Sequence, residues 1–150
     1  MTDKNTALVL PFRQVGMGDV HLVGGKNASL GEMIAHMPHA VKVPDGFATT
    51  AQAYRDFRAQ SGLDVKINAS LDALDGEDVN ALAVCGAEIR KWIMEVPFPM
   101  DLTIAITEQY QRLVADSTAD MSSAVRSSAT AEDLPDASSA GRKETSLQLA

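Results

Sequence analysis

Apolar positions recur at helical spacing over the middle of the chain and form short extended runs toward its two ends. The pattern predicts an α+β fold with about four helices and four short strands, in the order β, α, β-β, a run of helices, then β. The extended segments are residues 8–10, 41–43 with a continuation through 47–49, 123–126, and a last strand at 145–149. The predicted helices begin near Asn27 with Asn27 or Ser29 as cap, after Thr49 or Thr50, after Asp78 and near Leu102, and a shorter segment from Leu63 also has a helical pattern.

Composition narrows the classes of function. The 150 residues include 13 Lys and Arg against 20 Asp and Glu, which gives a net charge of −7. This balance argues against nucleic acid as a partner, and no apolar run reaches the roughly 18 residues that span a bilayer. The length of the chain predicts that residues 1–150 form one domain or part of one. A location in the cytoplasm is expected because the single Cys85 has no disulfide partner. The methionines expected to fill the core are Met17, Met33, Met37 and Met94.

The first segment that can bind a ligand is residues 23–33, VGGKNASLGEM. Gly24 and Gly25 permit unusual backbone angles and a close approach of amide groups to an anion. Lys26 follows at the start of a predicted helix, so its charge and the positive helix end can meet one phosphate group. The spacing of a Walker A loop is absent, and an ordinary turn is the alternative.

The second segment is residues 124–138, AVRSSATAEDLPDAS. Arg126 ends a predicted strand, and guanidinium groups bind phosphate oxygens bidentately while hydroxyls add neutral donors. The hydroxyl residues that follow it are Ser127, Ser128 and Thr130. The acidic residues that can hold Arg126 or approach Mg²⁺ are Glu132, Asp133 and Asp136. A solvated loop with a surface ion pair is the alternative.

These two segments, together with VPDGFATTAQAY at residues 43–54, resemble the N-terminus of the phosphoenolpyruvate synthases, or pyruvate, water dikinases. IRKWIMEVPFP at residues 89–99 is similar to the matching helix and turn of that family. The resemblance runs from about Leu8 to Thr145, with all motifs in order. Rifampin phosphotransferase shares the motif around Arg126 and is the alternative family.

The resemblance implies that residues 1–150 are a single partial domain, the N-terminal lobe of a truncated ATP-grasp nucleotide-binding domain. It implies ATP and Mg²⁺ as cofactors of a kinase of gluconeogenesis, in which ATP phosphorylates a histidine on another domain and the phosphate passes to pyruvate. It implies neither a catalytic residue nor a metal ligand within this chain. The residues matched to contacts with the ATP phosphates are Lys26, Arg126, Gly24, Gly25, Ser127, Ser128, Thr130, Gly141, Glu144 and Thr145.

Two departures from the family pattern bear on activity. The resemblance implies that the second half of the nucleotide domain, the phosphohistidine domain and the pyruvate domain lie outside residues 1–150, so pyruvate is expected as a partner only through those domains. The loop expected to cover the phosphates also differs, since the family has Phe, Gln-Gln and Phe where this chain has Ser139, Arg142-Lys143 and Ser146. The isolated chain is therefore expected to be inactive. The alternative is a catalytically silent fragment or remnant, which pairs with a second copy or a complementary chain through unsatisfied strand edges.

Overall fold

The computed structural model describes residues 3–38, 40–74, 78–117 and 122–130, and the backbone of a final strand at Thr145–Gln148. Within these ranges an α+β arrangement is observed, with two antiparallel two-stranded sheets and six α-helices. None of the described helices has the length and apolar character needed to cross a membrane. In chain order the elements are β1 (Val9–Pro11), α1 (Val20–Val23), α2 (Gly25–His36), β2 (Phe47–Thr49), α3 (Ala51–Gln60), α4 (Leu63–Asp72), α5 (Val79–Glu95), α6 (Met100–Ala115), β3 (Ser123–Arg126) and β4 (Thr145–Gln148).

The first sheet joins β1 to β2, with Leu10 opposite Ala48. Thr50, only 3% exposed, ties this sheet to the helix that follows. Its backbone N–H donates to the Leu8 carbonyl at 3.0 Å, and its Oγ1 donates to the Ala7 carbonyl at 2.7 Å. The same Oγ1 accepts from the Ala53 N–H at 3.1 Å, so Thr50 rather than Thr49 caps α3.

Helix α2 packs against the first sheet through a cluster of buried small and branched side chains. Its contact residue is Ala28, which is fully buried. The other buried members of the cluster are Leu10, Val15, Leu22, Val23 and Ala48. The small size of Ala28 lets the helix axis come close to the strands, and this fixes where the N-terminal end of α2 lies.

The remaining helices form a second layer held by two further clusters. One is built from Val9, Ala53 and Leu102, so it connects β1, α3 and α6. The other is Phe57, Leu63 and Ile67, against which Ile89, Trp92, Ile93 and Val96 pack. Asp78 caps α5, as the sequence predicts, by accepting from the N–H groups of Asn80 at 2.9 Å and Ala81 at 3.0 Å.

Two sequence expectations about the fold are wrong. The alternation at Val41 and Val43 does not form a strand. Val41 instead donates its N–H to the Pro38 carbonyl at 2.8 Å, which makes a turn, and Pro44 then removes a donor that a ladder would need. The four methionines expected in the core are exposed, with Met94 at 84%, because the pattern of apolar positions does not reveal whether another element covers them.

Candidate functional site

The first predicted segment forms the junction of two helices. Gly24 ends α1 by donating its N–H to the Val20 carbonyl at 2.8 Å, and its own carbonyl accepts from Ala28 at 3.1 Å within α2. Its backbone angles, φ 79° and ψ 159°, lie in a region open essentially only to glycine. The reversal therefore depends on Gly24, and it starts α2 at Gly25, two residues earlier than the sequence predicts.

The expected side-chain cap of α2 is wrong. No side chain caps the start of the helix in the part of the chain that the structure describes. The Asn27 amide Nδ2 donates backwards to the Val23 carbonyl at 2.7 Å, and the Ser29 hydroxyl points to the Met17 sulfur at 3.7 Å. The first turn of α2 is thus left without the side-chain oxygen that usually neutralises its positive end, which favours an external anion there.

Helix α2 is held in position from the preceding segment. A Cβ added at Gly31 would lie 2.6 Å from the Phe12 carbonyl oxygen and closer still to that of Val15. Glu32 Oε2 accepts from the Met17 N–H at 3.0 Å one residue further on. These contacts fix the helix along its length, so its N-terminal end has a defined place.

The second predicted segment lies on the second sheet, where β3 pairs with β4 and Arg126 stands opposite Thr145. Arg126 is the last residue of β3, is exposed, and leads into the segment 127–130. Ser127 and Thr130 are exposed, whereas the Ser128 hydroxyl oxygen is shielded from solvent. The segment thus presents a cation and two accessible hydroxyls at one end of a hairpin.

The structure brings the two segments into direct contact. A Cβ on Gly24 would collide with the Ser128 hydroxyl oxygen and would lie 3.0 Å from the Ala129 carbonyl oxygen. Within the described residues, the Ser128 hydroxyl has no hydrogen-bond partner. A buried hydroxyl in that state costs ~1–3 kcal/mol, so its presence calls for an explanation. We refer to Gly24–Lys26 and Arg126–Thr130 together as the cradle.

Two positive side chains flank the contact. Lys26 lies two residues after Gly24 and Arg126 two residues before Ser128, and both side chains are exposed. Two residues of chain span at most about 7 Å, so the Cα atoms of Lys26 and Arg126 each lie within about 7 Å of one of the two contacting residues. The 12-residue helix α2 also begins at this contact, and cations and helix N-terminal ends are groups to which phosphate oxygens bind.

Part of the predicted site lies outside the described side chains. Gly141 and Glu144, the altered positions Ser139, Arg142 and Lys143, and the acidic residues Glu132, Asp133 and Asp136 all fall outside the described residues. Thr145 and Ser146 are described as backbone of β4 alone. Among the residues that are described, no group of three or more His, Cys, Asp or Glu is arranged to hold a metal ion.

Sequence reasoning missed two contributors to the site. The Ala129 backbone packs on Gly24, and Gly31 allows α2 to approach the Phe12 and Val15 carbonyls. A glycine inside a helical pattern indicates a close packing contact, so Gly31 offered a signal. Ala129 offered none, because its contribution is made by main-chain atoms.

A separate apolar groove of about 440 Å³ lies between α3, α6 and the end of α5. Its lining includes Tyr54, Phe57, Met94, Phe98 and Leu102. Phe98 packs edge-on against Phe57, with ring centroids 5.8 Å apart. None of the cradle residues lines this groove, so the groove is separate from the cradle.

Comparison with known sequences identifies the class to which these features belong. The family model described as the AMP/ATP-binding domain of pyruvate phosphate dikinase matches residues 20–150, and this chain belongs to that family. Both halves of the cradle lie within the matched region.

Curated relatives agree with this assignment. The phosphoenolpyruvate synthase of Pseudomonas aeruginosa is 58% identical over 142 residues, which cover 94% of this chain and 18% of that protein. The synthase of Neisseria meningitidis is 56% identical over 143 residues, again covering 94% of this chain and 18% of the relative. The synthase of Escherichia coli K12 is 53% identical over 146 residues, which cover 97% of this chain and 18% of the relative. The chain thus spans 18% of the length of these relatives.

Proposed function

We propose that this chain binds the phosphate groups of ATP as the N-terminal lobe of an ATP-grasp nucleotide-binding domain. Lys26 and Arg126 neutralise the phosphate charge, the start of α2 donates main-chain N–H groups, and Ser127, Ser128 and Thr130 add hydroxyl donors. Because Gly24 and Gly25 have no side chain, the anion can approach their backbone closely. Gly141, Glu144 and Thr145 complete the proposed set.

The observation that supports this proposal best is the contact of Gly24 with Ser128 and Ala129. It joins two segments that sequence reasoning selected independently for phosphate chemistry. If the segments were an ordinary turn and an ordinary solvated loop, nothing would require them to meet. Their meeting at an uncapped helix start, with a cation on each side, is what a phosphate site needs.

Mg²⁺ enters the proposal as the partner of the nucleotide phosphates. No cluster of ligands for it is present among the described side chains, so the ion would arrive bound to ATP. This chain's own residues then bind and orient the phosphates, which is the larger part of what proteins contribute to phosphoryl transfer.

The complete reaction is proposed for a larger assembly. In a pyruvate, water dikinase, ATP phosphorylates a histidine of another domain, water takes one phosphate, and pyruvate takes the other to become phosphoenolpyruvate. This chain would supply the nucleotide lobe of such a cytoplasmic enzyme of gluconeogenesis and no catalytic residue. Because the named relatives are phosphoenolpyruvate synthases, they favour this activity over that of a rifampin phosphotransferase.

Isothermal titration with Mg²⁺-ATP tests the proposal. We expect the chain to bind with a sub-millimolar Kd, and the Lys26→Ala and Arg126→Ala variants each to bind at least about tenfold more weakly, which corresponds to ~1.4 kcal/mol. Lys91→Ala and Arg112→Ala are matched controls, because both residues lie on helix surfaces in ion pairs 3.8 Å long. Such pairs contribute little, so both controls should bind like the unmodified chain.

Two outcomes would contradict the proposal. One is an unmodified chain that has a folded circular-dichroism spectrum but does not bind Mg²⁺-ATP, which would favour a catalytically silent remnant. The other is an equal loss of binding in the controls, which would indicate attraction by overall charge and not a built site.

A further inference from the structure

Strand β1 pairs on one side alone within the part of the chain that the structure describes, and its neighbour there is β2. Thr50 donates its N–H to the Leu8 carbonyl at 3.0 Å. Further along the strand, Phe12 donates its N–H to the Gly46 carbonyl at 2.9 Å. Because successive residues of an antiparallel strand direct their main-chain groups to alternate edges, Val9 directs its N–H and C=O away from β2.

A groove of about 420 Å³ lies beside this outer edge of β1, and we call it the edge groove. One wall is β1 with the residues that precede it, and the other wall is a single face of α6 formed by Ala105, Glu108, Gln109 and Arg112. None of the cradle residues lines the edge groove. The space beside the β1 edge is therefore open, and an open strand edge is a template for pairing with another chain.

The charges on the α6 wall of the edge groove complement themselves. The side chains of Arg112 and Glu108 are 68% and 57% exposed, and their closest nitrogen and oxygen atoms are 3.8 Å apart. An exposed pair of this kind contributes little within one chain. When two copies of the same helix run antiparallel about a two-fold axis, the glutamate of each copy is set against the arginine of the other. This charge pattern favours a second copy of the chain as the occupant of the edge groove.

We propose that the edge groove receives β1 of a second copy of this chain, with Val9 opposite Val9 about a two-fold axis. The inference goes beyond the proposed function, because the cradle takes no part in it. An axis perpendicular to the joined sheet keeps the same face of each copy on the same side. Val9 packs with Leu102 of α6 on that face, so both copies of α6 lie there and run antiparallel. Glu108 of each copy then meets Arg112 of the other.

Pro11 and Ala7 favour the register that is centred on Val9. In this register two N–H groups and two carbonyls are exchanged between the Val9 residues, and Pro11 lies opposite Ala7 of the second copy. Pro11 has no N–H to donate, but the Ala7 carbonyl already accepts from Thr50 Oγ1 at 2.7 Å. The Ala7 N–H of the second copy donates to the Pro11 carbonyl. A register centred on Pro11 would instead set two residues without a donor opposite each other.

Sedimentation equilibrium of the full chain tests the proposal, and we expect a reversible dimer. Arg112→Glu and Glu108→Arg each place like charges against each other across the axis, so each variant alone should raise the Kd of the dimer at least about tenfold. An equimolar mixture of the two variants should restore the Kd of the unmodified chain, because both contacts of the mixed dimer join opposite charges. Lys91→Glu and Glu95→Arg are matched controls, since they make the same changes of charge in a pair of the same 3.8 Å length on α5. Neither control should change the Kd.

Hydrogen exchange of the Val9 amide, followed by NMR, tests the strand pairing separately from the helix contact. Leu10 is the reference, because its main chain faces Ala48 of β2 whether or not the chain dimerises. On dilution below the Kd of the dimer, Val9 should lose protection relative to Leu10. The charge variants should bind Mg²⁺-ATP like the unmodified chain, because the cradle is separate from the edge groove.

Three results would overturn the inference. A chain that stays monomeric up to about 1 mM associates too weakly for a specific interface. A dimer that the α5 controls weaken equally, or that mixing the two α6 variants does not restore, uses another surface. A dimer in which the exchange of Val9 relative to Leu10 does not depend on concentration leaves the strand edges unpaired. Failure of the unmodified chain to bind Mg²⁺-ATP would count against the proposed function alone.

Discussion

Replacing Gly31 by alanine tests how α2, and with it the cradle, is held in place. Gly31 lies inside α2 and is buried against the segment that precedes the helix. A Cβ there would lie 2.6 Å from the Phe12 carbonyl oxygen and 2.8 Å from the Val15 carbonyl carbon. These are backbone atoms of a turn closed by the Val15 N–H donating to Phe12 at 3.2 Å, so they cannot rotate aside as a side chain would.

Two effects of opposite sign decide how much Gly31→Ala changes the free energy of unfolding. Alanine is favoured over glycine in a helix interior by about 1 kcal/mol. Forcing a methyl group into a packed contact costs ~1–3 kcal/mol, and a contact with backbone belongs at the upper end of that range. We therefore expect Gly31→Ala to lower the free energy of unfolding by about 1–2 kcal/mol.

Gly86→Ala is the matched control, because Gly86 also lies inside a helix but its Cβ would meet only the flexible tip of Arg90, at 3.4 Å. That variant should gain about 1 kcal/mol from helix propensity alone. Urea unfolding followed by circular dichroism should then separate the two variants by about 2–3 kcal/mol, or about 5–10 °C in Tm. A Gly31→Ala chain as stable as Gly86→Ala would refute the close approach of α2 to the Phe12–Val15 turn.

Two further substitutions test contacts described above. Gly24→Ala should destabilise the chain by ~1–3 kcal/mol through its backbone angles and by more through collision with Ser128, and it should abolish binding of Mg²⁺-ATP. Gly62→Ala is its control, since Gly62 also has a positive φ of 66° but open space around it; equal losses in thermal melts would show that the Ser128 contact contributes nothing. Thr50→Ala should cost about 2–3 kcal/mol because it leaves the Ala53 N–H and the Ala7 carbonyl without their partner, whereas Thr50→Ser should cost about 1 kcal/mol. Chemical denaturation of both variants checks this, and a serine variant as unstable as the alanine variant would show that the methyl group matters more than the hydroxyl.

Sequence reasoning succeeded where the cause of structure is local. Asp78 was expected to open a helix, and it caps α5 through its side chain, since capping involves only the next three residues. It failed at Val41 and Val43, because a strand exists only with a partner and the turn after Pro38 leads the chain away from one. It failed at Met94 because an apolar face is the same in sequence whether or not another element covers it.

The candidate site also has features that the sequence predicts and features that only the structure shows. Glycines followed by a lysine, and an arginine followed by hydroxyls, are readable as phosphate chemistry from their residue types alone. The contact of Gly24 with Ser128 is not readable from the sequence, because it depends on how the helices between them pack. For the same reason the sequence did not separate Ser128 from its neighbours Ser127 and Thr130, although the structure gives them different environments.

The meeting of Gly24 with Ser128 closes a loop of about 100 residues, which includes five of the six described helices, α2 to α6. At ~5–20 residues per second, a loop of about 100 residues takes roughly 5–20 s to synthesise, so the first half of the cradle and helices α3 to α6 are made before the second half of the cradle exists. A ligand held by both halves then acts as a reversible crosslink across that loop. At a concentration of 100 times its Kd it would add about 2.7 kcal/mol to the stability of the native chain. Protection from proteolysis would therefore extend to helices that the ligand never touches, and the abundance of the folded chain would follow the supply of its ligand.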